Sequence, residues 1–134
     1  MRDKIEVHNL DYKMVIKDFV SFLCKELQIN PNKVYVYGMD ESVYKEQRAV
    51  GACIDEPNDE FILLVYQGSR KIENIFDTIA HEMIHVKQFL KENLNHWLNT
   101  CSDVPYKQQW WEVEAWNNSA NLVIKFANFL KGKS

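Results

Sequence analysis

The chain has 134 residues, 46% of them hydrophobic and 13% aromatic, and a formal net charge of −3. It is long enough for one domain to bury a core without staples, and too apolar for a disordered segment. With a slight acidic excess and no basic run longer than Arg70-Lys71, it offers no support for phosphate-backbone binding, so nucleic acid is not expected as a partner.

Cys24, Cys53 and Cys101 are an odd number with no C-x-x-C pair, which reads as reduced thiols. Arg2, Asp3, Lys4 and Glu6 interrupt any apolar secretion signal. No stretch approaches the ~18 apolar residues that a membrane span needs. The expected compartment is cytoplasmic, with no membrane partner.

Residues 1–10 are ambiguous, either a short strand at Ile5–Val7 or a docking tail. From Asp11 the spacing of Met14, Val15, Phe19, Phe22, Leu23 and Leu27 is helical, and Asn30-Pro31 ends it. Val34–Tyr37 is a β-rich run closed by Gly38, and a polar connection follows. Ala49–Ile54 predicts a second strand, and the turn chemistry of Glu56-Pro57-Asn58-Asp59 joins it as a hairpin to a third, Phe61–Gln67.

A long helix is predicted from about Lys71 to Leu94, with Ser69 as its N-cap. Ile72, Ile75, Phe76, Ile79, Met83, Val86 and Leu90 form a continuous apolar stripe on one side. Asp77, Thr78, His81, Glu82, His85, Gln88 and Phe89 fill the opposite sector, expected to point away from the core. Asn95–Gln109 lacks a period and predicts a loop. Helical spacing returns from Trp110 to about Leu130, ahead of a Gly132-Lys133-Ser134 tail. One α+β domain is the expected architecture, a helix followed by three strands and two further helices.

The long helix carries His-Glu-Met-Ile-His at 81–85. Four residues turn through about 400°, so His81 and His85 stack on one face a turn apart, where two imidazoles can share a metal ion. Glu82 lies about 100° round, placed to take a proton from a water at the metal's open position. Catalytic zinc takes three protein ligands, so a third is required. Glu112, Glu114, His96 and Asp103 are the downstream candidates.

Helical phase favours Glu112. It falls within about 60° of Ala115, Trp116, Ser119, Val123, Phe126, Ala127 and Leu130, on an apolar and buried face. Glu114 falls with Asn117, Asn118, Asn121, Lys125 and Asn128, on the solvent side. A buried carboxylate needs a partner to offset its desolvation, and a metal, a lysine or a backbone amide would serve.

HEMIH followed by Glu112-Val113-Glu114-Ala115 on a second helix resembles the gluzincin branch of zinc metallopeptidases, in which a downstream Glu-x-x-Ala helix supplies the third ligand. In size and element order the chain is similar to the short single-domain versions carried by phages and mobile elements, and to anti-repressor proteases. The resemblance implies a zincin-like α+β fold, with one zinc ion per chain held by His81, His85 and Glu112. It also implies Glu82 as general base and a peptide or protein substrate, a repressor among the possibilities.

The pattern has departures. Trp116 stands where many relatives carry a polar residue supporting a ligand histidine. No distant histidine or arginine matches a transition-state stabiliser, and Tyr106 is either that group or a packing residue. Gln88 and Lys91 remove the metzincin branch. Asp103-x-x-Tyr106 lacks the glycines of the aspzincin signature, and the sequence around Cys53 does not match the peptide deformylases. Two alternatives stay open: a site similar to that of the SprT-like proteases with His96 as third ligand, and a non-catalytic zinc-binding regulator of a phage or mobile element that sequesters its partner.

Overall fold

The computed structural model describes residues 1–132. Gly132 closes the last helix, and the remainder of the expected tail, Lys133 and Ser134, lies outside the described residues. Among those residues the chain runs β1 (Ile5–His8), α1 (Lys13–Glu26), β2 (Lys33–Gly38), α2 (Glu41–Gln47), β3 (Gly51–Glu56), β4 (Glu60–Val65), α3 (Ile72–Lys91), α4 (Leu94–Thr100) and α5 (Trp110–Gly132). It is an α+β structure, and among the described residues no helix is long and apolar enough to cross a membrane.

The sheet has four strands rather than three, in the order β1-β2-β4-β3. Its extra member is β1, parallel to β2 with Ile5 opposite Val34. Strand β2 is in turn parallel to β4, and only the β3–β4 hairpin is antiparallel. The hairpin turns at Pro57-Asn58-Asp59, where Asn58 and Asp59 take positive φ of 67° and 57°, tolerated best by these short polar residues. Alternation sets the faces: Ile5, Val7, Val34, Val36, Phe61, Leu63 and Val65 are buried beneath the helices, while Tyr35 and Tyr37 stack on the opposite face.

Strand β4 is therefore internal. It is paired on both sides, and the edges of the sheet are its neighbour β3, beside α3, and β1 at the other end.

Helix α3 lies across the sheet as its apolar spacing requires. Ile79, Met83 and Val86 are fully buried, each stabilising the packing by roughly 1.5–3 kcal/mol. Its first helical residue is Ile72, and Lys71 rather than Ser69 occupies the N-cap position. The helix ends at Lys91, three residues earlier than its period suggests. Asn93 adopts a left-handed φ of 53°, and buried Leu94 opens α4, which runs on through Thr100 where a loop is expected from Asn95. The supposed polar connection likewise contains α2, anchored by Tyr44 stacked on Tyr66 at 3.9 Å. Seven residues are too few for either helix to display a period.

Helix α5 covers the side of α3 opposite the sheet. The polar sector of α3 therefore does not face water: His85 and Gln88 are buried against α5, and Thr78 and Glu82 beneath Gly51 of β3. Aromatic packing locks the arrangement, with Phe19 of α1 at 4.8 Å from Phe76 of α3 and 4.9 Å from Phe126 of α5.

Candidate metal centre

The centre lies where α3, α5 and the free edge of β3 meet. From α3, one helical turn brings His81 and His85 together, their ring centroids 4.9 Å apart. From α5, Glu112 reaches back to both, with Oε1 at 2.9 Å from His81 Nε2 and 3.2 Å from His85 Nε2. The three ligand-capable atoms lie within 4.8 Å of one another, and among the described residues they are the group arranged to hold a metal ion. Two imidazoles and one carboxylate leave a further position open to water or substrate, so the donor set fits such an ion.

Helical phase explains how α5 delivers Glu112. The buried stripe of this helix is Trp111, Ala115, Ser119, Leu122 and Phe126, centred about 60° from Glu112 rather than on it. Both glutamates therefore stand on the margins of the stripe. Glu112 borders it on one side and meets the histidines. Glu114 borders it on the other and, contrary to the solvent side expected of it, accepts hydrogen bonds from Gln88 Nε2 at 2.7 Å and Lys87 Nζ at 3.0 Å. The same rotation exposes Trp116, Ala127 and Leu130, which the sequence places inside.

His85 is fixed from behind, its Nδ1 2.7 Å from Gln88 Oε1, and Gln88 is itself fully buried. This partner is not anticipated from the sequence, although Gln88 lies in the same polar sector one turn along from His85.

Glu82 is buried beside the cluster without belonging to it. Burial pushes its carboxyl up to about 7, against the pull of His85 and His81. Burial also acts to raise Glu112, but hydrogen bonds to His81 and His85 outweigh it and hold that carboxyl at about 2. For His85, burial disfavours the charged form, and Glu112 and Glu82 more than compensate, raising it above the ordinary value. Two acidic groups in one site are thus driven apart, one toward sharing a proton and one firmly anionic.

The surrounding cleft has a volume of about 410 Å³ and is bordered by Ala52 and Cys53 of β3, Phe89 of α3, Leu94 and Leu98 of α4, and Trp111. A second hollow continues past Gly51, Glu82 and Tyr106 toward Arg70, Asp77 and Trp116. Tyr106 therefore stands at the junction of the two. Burial, the charge of Glu112 and a hydrogen bond to it raise the phenol to about 12.

The other candidate ligands lie elsewhere. His96 and Asp103 are exposed, His96 packing its ring against Trp97 at 5.5 Å, and neither joins the cluster. Cys53 borders the cleft without joining the cluster, and burial raises its thiol well above the usual range. Comparison of the chain with protein-family models, with curated proteins and with solved structures finds no match.

Proposed function

We propose that this chain is a zinc-dependent peptidase with a zincin-like fold, related in design to the gluzincins. His81, His85 and Glu112 would hold one zinc ion. Zinc suits the ligand set because it accepts imidazole and carboxylate donors in a four-coordinate geometry with one place left open. When bound it would polarise a scissile carbonyl and acidify a water.

The observation that carries this reading is the meeting of HEMIH with a carboxylate from a separate helix, beside a second buried carboxylate that is not part of the ligand group. Glu82 has the position and the raised proton affinity of a general base: it takes the proton of the attacking water and returns it to the leaving amine. The free edge of β3 aligns an extended substrate as an added strand, with the scissile bond above Glu82. The apolar border formed by Phe89, Leu94, Leu98 and Trp111 receives a bulky apolar side chain next to that bond. Tyr106, at the mouth of the cleft, keeps its proton at neutral pH and can turn its phenolic O–H from Glu112 to hydrogen-bond the developing oxyanion.

Glu82→Gln and His81→Ala test the assignment. The first is expected to keep one zinc per chain and lose cleavage, and the second to lose the metal. Incubating zinc-loaded protein with a mixed proteome and sequencing new termini reads the activity directly. An absence of Glu82-dependent cuts would overturn catalysis in favour of a zinc-binding protein that sequesters its partner.

A further inference from the structure

Gln88 contributes no ligand atom and touches no open space, yet it is completely buried between the two helices that build the centre. All three of its polar contacts run to groups that matter there. Its Nε2 donates to Trp111 O at 2.9 Å and to Glu114 Oε1 at 2.7 Å, so both amide protons are committed. Its Oε1 then faces His85 Nδ1 at 2.7 Å.

This amide cannot turn round. A flip would set its oxygen against two acceptors, the Trp111 carbonyl and the Glu114 carboxylate, and its NH2 against the ring. Lys87 Nζ, 3.0 Å from the other oxygen of Glu114 and 2.9 Å from Glu92, favours Glu114 as the charged acceptor. With Oε1 held as an acceptor, His85 keeps a proton on Nδ1, so Nε2, which here donates to Glu112, is the nitrogen left to give up its proton and turn a lone pair toward the place shared with His81 and Glu112. The two α5 groups that hold the amide, Trp111 and Glu114, bracket Glu112 in sequence. One side chain therefore orients one ligand and anchors the helix that supplies another.

We propose that Gln88 is the positioning residue of the centre: it sets His85 to bind a metal through Nε2 and locks α5 in the register that brings Glu112 to both histidines. The inference rests on the metal reading of the site, but not on the site being catalytic.

Metal affinity and ring nitrogens test it, with zinc as the probe. In zinc-loaded wild-type protein, long-range 15N correlation spectra are expected to show His85 protonated on Nδ1 and bound through Nε2; binding through Nδ1 would overturn the proposal without any variant being made. Chelator competition should find Q88M, apolar and similar in volume, about 10- to 100-fold weaker for zinc, and Co2+-substituted Q88M should show an altered visible spectrum. Q88E is expected to bind weakly as well, since it keeps the acceptor for His85 and loses the donors to α5. Adding E114Q should recover part of the affinity, because the amide at 114 can donate to the new carboxylate at 88. Folded Q88M with affinity within twofold of wild type sinks the proposal while leaving the peptidase reading intact. Wild-type protein that takes up no zinc overturns both, and zinc uptake without cleavage overturns only the peptidase.

Discussion

Gly51 on β3 stands so close to Glu82 on α3 that a methyl group in its place would lie 2.7 Å from Glu82 Oε2 and 2.6 Å from Thr78 Cγ2. Both distances are shorter than side chains adopt, so only a bare backbone lets the edge strand pass over the buried carboxylate. Gly51→Ala is expected to displace Glu82. Cleavage should fall through kcat with zinc stoichiometry unchanged, at a stability cost of about 1–3 kcal/mol from overpacking. A G51A protein cleaving at the wild-type rate would show that Glu82 does not need its position against β3.

Glu112 makes the metal-free protein sensitive to pH in a bell-shaped way. Its folded carboxyl, at about 2, lies below the ordinary 4.5, so its contribution to stability is complete above 4.5 and lost as pH falls toward 2. His85 is shifted the other way, above 6.5, so its contribution is complete below 6.5 and lost as pH rises through the folded value. In excess chelator, the difference in urea midpoint between wild type and Glu112→Gln should therefore be largest between pH 4.5 and 6.5 and shrink on both sides. A difference flat from pH 3 to 9 would mean that Glu112 and His85 do not interact.

Phe126 ties α5 to the rest of the core, its ring 4.9 Å from Phe19 and 5.3 Å from Phe22, with only 2% of its surface exposed. Phe126→Ala should cost about 3–5 kcal/mol in denaturant unfolding. Because the same helix carries Glu112, zinc affinity should fall in the folded variant although no ligand is touched. Unchanged affinity would show that α5 is positioned from its N-terminal end alone.

His96 decides between ligand sets. It is exposed on α4 and outside the cluster, so His96→Ala should bind zinc as tightly as wild type and change stability by no more than about 0.5 kcal/mol. A tenfold loss of affinity would restore the arrangement in which it, rather than Glu112, is the third ligand.

Much of this architecture was legible locally. The spacing of Ile75, Ile79, Met83 and Val86 marks α3 and its sheet-facing side, Pro57-Asn58-Asp59 marks the hairpin, and the register of His81 and His85 follows from helix geometry alone. Short elements were left ambiguous, as the strand at Ile5–Val7 was, or escaped, as α2 and α4 did, because their stabilisation is remote. The four residues of β1 gain their partner from β2, across the whole of α1. Helices α2 and α4 are held by contacts such as Tyr44 on Tyr66, and by the hydrogen bond from Asn95 to Asp55 of β3.

The sequence by itself determined that two imidazoles and a glutamate share one helix, since these relations need only the 100° step of the backbone. It also singled out Glu112, because an acid beside Ala115 and Ser119 could be judged near a buried face. Only the tertiary structure decided that the buried stripe of α5 runs beside Glu112 rather than through it. It turned Glu114 and Gln88 toward each other and made β3 the edge strand beside the histidines. The placing of the α5 side chains depends on how that helix is rotated about its axis, and Ala115, Leu122 and Phe126 set the rotation by packing into the core built by residues far away in the chain.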